Sequence, residues 1–294
     1  MRYKELPKKW KVIAALLMTV NILLIVLIVG FGIFLHAYRK NCAELRAPLK
    51  KEDSLLIGER CKIERDRKDA VAVNLYMPDD IGDEKLPVVF NIHGGGFVGG
   101  DADMLDTQSN RIANEWGVIV VTVNYTTADV KPVSYGSEEV KDAVLYFAEN
   151  AESYHADTDR FTVMGYSAGA YYAAESVRML KKDGFAVDSL VMCYPWTTGL
   201  PTKELSNDHP RTLFVLAGED PISQKSKTYM DAMKAAGITV EAVEYEGAVH
   251  SFIESNNPEG ANDTSADIES VINPTQEAFA REAEKVIGEW LSNY

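Results

Sequence analysis

The sequence predicts an α/β protein, in which a mostly parallel central sheet carries helices on both faces and follows one N-terminal membrane-spanning helix. Three observations carry this. Strand and helix patterns alternate from Val71 to the C-terminus, the runs Val88–Ile92 and Val118–Val123 are apolar on both faces as buried parallel strands are, and residues 12–35 carry no charge. No repeat with a period of about 20 to 50 residues is visible, which argues against a solenoid or propeller.

The apolar run Val12–Leu35 is broken only by Thr19, Asn21, Gly30 and Gly32. As a helix it would reach about 36 Å, slightly more than a bilayer's hydrocarbon thickness. A signal peptide usually has a shorter apolar core ending in small residues, whereas this run ends in His36-Ala-Tyr-Arg-Lys40. An uncleaved single-pass anchor is therefore expected, with residues 1–11 as a basic head, 12–35 as the span, 36–60 as a polar linker and 61–294 as the main domain. Arg2, Lys4, Lys8, Lys9 and Lys11 on one side nearly balance Arg39, Lys40, Arg46, Lys50 and Lys51 on the other. A compact basic head usually stays in the cytoplasm, which places the main domain outside it.

Past the linker, Val71, Val73, Leu75 and Met77 alternate along a strand that stops at Pro78. Strand Val88–Ile92 follows, then a helix over Arg111–Trp116 stopped by Gly117, then strand Val118–Val123. Ser137 before Glu138 and Glu139 reads as the cap of a helix with Val140, Ala143, Val144 and Phe147 on one side. Strand Phe161–Met164, helix Ala168–Lys182, strands Leu190–Cys193 and Leu213–Ala217, a helix over Gln224–Ala236 and strand Ile238–Tyr245 complete the alternation. A last helix from Thr275 buries Phe279, Ala283, Val286, Ile287 and Trp290. In such sheets functional groups gather at the carboxyl ends of the strands.

Residues 1–40 hold seven of the 30 Lys and Arg and one of the 44 Asp and Glu, which leaves 23 basic against 43 acidic side chains, a balance of −20, in the remainder. A domain so acidic repels phosphate backbones, so nucleic acid is excluded as a partner. The three cysteines lack metal-ligand spacing, and no metal or organic cofactor is expected. Cys193 reads as core; Cys42 and Cys61 would pair only outside the cytoplasm.

The chain is organised around Gly165-Tyr166-Ser167-Ala168-Gly169, at a strand-to-helix junction. Flanking glycines allow a turn sharp enough to lift a serine hydroxyl above the sheet. Three further groups fall at strand ends. His93-Gly94-Gly95-Gly96-Phe97 follows strand Val88–Ile92 and exposes backbone amides that could hold an oxyanion; the absence of a following Lys-Ser or Lys-Thr excludes a phosphate cradle. Gly218-Glu219-Asp220-Pro221 offers two acids, Glu219 and Asp220. Among the five histidines, only His250 gives the order serine, acid, histidine.

HGGGFVGGD at His93–Asp101, GYSAG at Gly165–Gly169, AGEDPI at Ala217–Ile222 and EYEGAVHSF at Glu244–Phe252 resemble the α/β-hydrolase superfamily and, within it, the hormone-sensitive-lipase-like esterases. The resemblance covers about residue 60 to 294. It implies an α/β-hydrolase fold, with Ser167 as nucleophile, His250 as base and then acid, and Asp220 as its orienting carboxylate. The Gly95, Gly96 and Ala168 amides would form the oxyanion hole, with His93 and Gly94 shaping its loop. Three features depart from the family pattern. Tyr166 stands where the family usually has Asp, and Gly169-Ala170 where it has Gly-Gly. Val123–Asp129 replaces the usual Tyr-Arg-Leu-Ala-Pro segment. Only residues 194–211 occupy a connection where the family commonly carries much of its cap.

A reduced cap implies an open pocket and a short acyl group, carried on a small-molecule or polymer-borne alcohol. Phe97, Tyr135, Tyr166, Tyr171 and Trp196 are the candidate pocket residues. An aryl formamidase or peptidase on the same scaffold, or a non-catalytic binding module, are the alternatives. The polar insertion Glu254–Glu269 reads as a surface loop, a flap over the site being the other reading.

Overall fold

Val88, Phe90 and Ile92 face one side of their strand and Val89 the other, and each side meets its own apolar cluster. The sequence is apolar on both faces because both faces are covered. The computed structural model describes residues 7–65, 69–257 and 271–293. Arg2, Lys4 and most of the insertion after His250 lie outside these.

Two units divide the chain, before and after the Glu44–Leu45 bond. The first holds helix α1 (Lys8–Arg46) as far as Glu44, a helix long and apolar enough to cross a membrane and whose apolar side chains from Val12 to Phe34 are largely exposed. The second unit is built on an eight-stranded sheet: β1 (Glu59–Ile63), β2 (Val71–Tyr76), β3 (Leu86–Ile92), β4 (Ile119–Asn124), β5 (Ala156–Tyr166), β6 (Ser189–Cys193), β7 (Arg211–Ala217) and β8 (Val240–Tyr245). Their spatial order is β1-β2-β4-β3-β5-β6-β7-β8. β2 runs antiparallel to β1 and β4, and all other pairs are parallel.

On one face lie helices α3 (Val133–Glu149), α5 (Ala168–Lys182) and α6 (Ser223–Ala235), which contribute Val140, Ala143, Tyr172, Val177, Leu180 and Met233 to the first cluster. On the other lie α2 (Asp106–Trp116) and α7 (Pro274–Ser292), with Ile112, Ala113, Ala283, Ile287 and Trp290. A single helical turn, α4 (Ala151–Tyr154), precedes β5. This is the predicted α/β-hydrolase fold.

Three local readings are corrected. Ser137 does not cap α3: the helix begins after Pro132, whose fixed φ suits a helix start, and Ser137 lies inside with its hydroxyl buried. The segment drawn as a linker to residue 60 belongs in part to the second unit, because ion pairing buries what looked solvent-bound. Arg46 holds the fully buried Asp129 at 2.8 Å, Lys51 holds Asp106 at 2.8 Å and Arg60 holds Asp103 at 3.0 Å. Strand β1 then adds an edge that the polar sequence Glu-Arg-Cys-Lys-Ile hid. The three cysteines are free thiols, Cys193 among the fully buried core.

Candidate active site

The turn at Ser167 is as tight as its glycines imply. A Cβ on Gly165 would lie 2.4 Å from the Gly169 carbonyl oxygen, and one on Gly169 would lie 2.2 Å from that of Ile92. No real Cβ tolerates such contacts, so strand and helix can meet at this angle only with both positions bare. Ser167 itself takes φ 53° and ψ −116°, a sparsely populated conformation for a side-chain-bearing residue, held by its N–H donating to Cys193 at 3.0 Å and its carbonyl accepting from Trp196 at 3.0 Å.

The strand ends bring the remaining groups to this hydroxyl. His250 Nε2 lies 2.8 Å from Ser167 Oγ, and its Nδ1 lies 2.6 Å from Asp220 Oδ2. With the proton on Nδ1 donated to the carboxylate, Nε2 is left to accept the serine proton. Asp220 is 6% exposed, and its other oxygen accepts the Ile222 N–H at 2.9 Å. Glu219, the rival acid, points to solvent. Of the two neighbouring acids, it is Asp220, the one the resemblance implies, that meets the imidazole.

The glycine loop lies against the serine: a Cβ on Gly94 would sit 3.5 Å from that of Ser167. Gly95 (φ 125°) and Gly96 (φ 59°) adopt backbone that favours glycine, while Gly99 N–H closes the loop on the Gly95 carbonyl at 2.7 Å. Ala168 opens helix α5, whose positive end faces the same space. His93 is fully buried, which pushes its imidazole below the usual range and keeps it neutral. Its ring stacks on Tyr125 at 4.2 Å, and the Tyr125 hydroxyl donates to its carbonyl at 3.0 Å. Nothing in the sequence pattern singled out Tyr125.

Of the candidate pocket residues, Phe97, Tyr171 and Trp196 gather, with Phe97 edge-on to the other two at 5.4 and 6.2 Å. A groove of about 480 Å³ opens beside them, between residues 197–202 and α6, with Thr197, Leu200, Lys225 and Tyr229 in its walls. Tyr135 instead turns its hydroxyl toward Asp69 at 3.3 Å. Tyr166 is corrected outright: strand alternation carries it with Met164 to the α2/α7 face, where it is 1% exposed in the core. A second hollow of about 300 Å³, bounded by Leu86, Trp116, Arg160 and Leu291, lies at the opposite ends of the strands and takes no part in this site.

The surface-loop reading of the insertion also fails at its start. Glu254, Ser255, Asn256 and Asn257 are 3%, 1%, 2% and 4% exposed. Tyr194 donates its hydroxyl to Glu254, and burial pushes the Glu254 carboxyl up to about 8. Sequence reasoning missed this acid; its one signal is its place directly after the apolar pair Phe252-Ile253, four residues past His250.

Comparison with known proteins agrees with this architecture. Esterase LipI of Mycobacterium tuberculosis is 27% identical over 227 residues, covering 62% of this chain and 71% of that protein. The versiconal hemiacetal acetate esterase of Dothistroma septosporum is 37% identical over 118 residues, 38% of this chain and 35% of that one. Among solved structures, the hyperthermophilic esterase of the archaeon Pyrobaculum calidifontis superposes with a TM-score of 0.65 at 23% identity, over 88% of this chain and 92% of that one. A bacterial heroin esterase gives 0.66 at 21% identity over 85% and 89%. At such identities the superpositions speak for the fold. The sequence profile of a family described as alpha/beta hydrolase fold matches residues 89–209 and 200–254, which hold the glycine loop, the serine turn and both of its partners; the chain belongs to that family.

Proposed function

We propose that this protein is a membrane-anchored serine carboxylesterase that hydrolyses short-chain, acetyl-type esters. The hydrogen-bonded series Ser167–His250–Asp220, 2.8 and 2.6 Å apart beneath a glycine loop, carries the reading. Ser167 Oγ attacks the ester carbonyl while His250 Nε2 takes its proton, and Asp220 stabilises the imidazolium that results. The Gly95, Gly96 and Ala168 amides receive the oxyanion, where losing one such donor typically costs about 3 to 4 kcal/mol of barrier. The alcohol leaves with the proton from His250. Water, deprotonated by the same ring, then releases the acyl group.

Support for a short acyl chain comes from the brief connection over residues 194–211 and the open groove beside Trp196; one relative is also named for an acetate ester. Esters borne on small molecules or polymers both fit such an opening. Residues 12–35 are the membrane span in this reading, with the catalytic domain on the extracytoplasmic side.

The test uses the full chain in detergent. A fluorophosphonate is expected to label one serine per chain, with labelling abolished in Ser167→Ala, and p-nitrophenyl acetate and butyrate should outperform octanoate. Preference for octanoate would overturn the short-acyl assignment, and preference for formanilides or peptides would favour a formamidase or peptidase. Complete absence of labelling would leave a binding module.

A further inference from the structure

Glu254 is a carboxyl group in a place where a carboxylate is costly. It is 3% exposed, in the turn between the apolar Phe252-Ile253 and the buried Ser255, and an isolated anion there would lose its hydration without compensation. The groups facing it are neutral. Tyr194, from the segment after β6, donates its hydroxyl to Oε2, and the glycine loop packs on Oε1, a Cβ on Gly94 meeting it at 3.3 Å. Tyr166 of β5 and Cys193 of β6 both sense its charge, as they do that of Glu284 on α7. Glu284 is itself held by Arg111 at 3.0 Å and by Arg281. The remaining ionisable neighbour is reached through Tyr194, whose ring stands edge-on to His250 at 5.2 Å.

The acid thus touches both halves of the site. One oxygen is bonded to the side chain that supports the imidazole, and the other lies behind the loop whose amides face the reacting oxygen. We infer that Glu254 is a positioning residue of this site, bracing Tyr194 against His250 with one carboxyl oxygen and backing the glycine loop with the other, and that its ionisation switches the site off. The inference rests on the acyl-transfer reading of Ser167. Its logic is electrostatic: a neutral acid behind the loop leaves the amides free to stabilise a developing oxyanion, whereas an anion there repels that charge across a dry interior. Burial keeps the proton on Glu254 to about pH 8, so the fall in reactivity belongs on the alkaline side of neutrality.

The experiment is the second-order rate of fluorophosphonate labelling of the full chain in detergent, followed from about pH 6 to about pH 10. For the natural protein the rate is expected to fall at least about fivefold, with a midpoint near 8. Glu254→Gln, a neutral isostere, should keep the neutral-pH rate within about threefold and lose the alkaline fall. A Glu254→Gln profile that falls over the same interval by the same factor overturns the inference. Tyr194→Phe removes the hydroxyl that stabilises the carboxylate, so its midpoint should move upward; an unmoved midpoint also overturns it, and this variant decides alone if Glu254→Gln does not fold. Failure of the natural protein to label at any pH would instead sink the acyl-transfer reading, a distinguishable result.

Discussion

Ser167 at φ 53° and Glu254 at 3% exposure are both residues that the fold holds in unfavourable states, one of backbone and one of solvation. For Glu254 the cost has a measurable pH signature. Its folded-state value, about 8, lies above the ordinary 4.5, so between those limits the folded chain keeps a proton that the unfolded chain releases. Stability is therefore full below about 4.5 and is lost as pH rises toward 8. Thermal unfolding across that window should show the natural protein losing stability relative to Glu254→Gln; parallel curves would contradict the buried neutral acid. Ser167 and His250 were readable from the sequence because each follows a strand end in a fixed order. Glu254 was not, since a glutamate opening a polar stretch carries no mark of burial. The resemblance points to Asp220 over Glu219, and the turn hides the first and exposes the second.

Among the elements, the glycine loop is tied to its neighbours from more than one side. Phe97 accepts the Ala128 N–H at 2.8 Å, Val98 accepts from Arg46, and Arg46 also grips Asp129 at 2.8 and 3.1 Å. Glu139 of α3 fixes the same segment through the Thr126 amide and hydroxyl at 2.5 and 2.8 Å. Val123–Asp129, which departs from the family pattern, is thus the strut of the loop. Burial alone would raise the Asp129 carboxyl, but the hydrogen bonds of Arg46 and Thr127 and the Arg46 charge together outweigh it and hold it below the usual range. Removing the guanidinium leaves that buried carboxylate with weaker, uncharged partners, so Arg46→Ala should cost about 3 kcal/mol in urea unfolding and slow Ser167 labelling. An unchanged midpoint would show that the pair contributes nothing. Periodicity found the central strands and long helices, whose apolar faces repeat. It missed β1 and the ordered segment before it, because ion pairs bury charged residues without any apolar pattern.

At the scale of the molecule, parallel pairing decides where chemistry can occur. β3, β5, β7 and β8 run the same way, so the glycine loop, Ser167, Asp220 and His250 emerge at one rim although up to 157 positions separate His93 from His250. The second unit contains every one of these groups and begins at Leu45, a single position ahead of Arg46. On the membrane-anchored reading proposed above, that boundary would make the hydrolase detachable. A protease cutting α1 ahead of Leu45 should shed a water-soluble fragment that keeps its esterase activity, whereas a cut after Arg46 should shed one that is slow to react and easily unfolded. Limited digestion followed by activity staining of the supernatant separates the two. If α1 is the anchor proposed above, the same boundary would let a cell convert a tethered hydrolase into a diffusible one with a single cleavage.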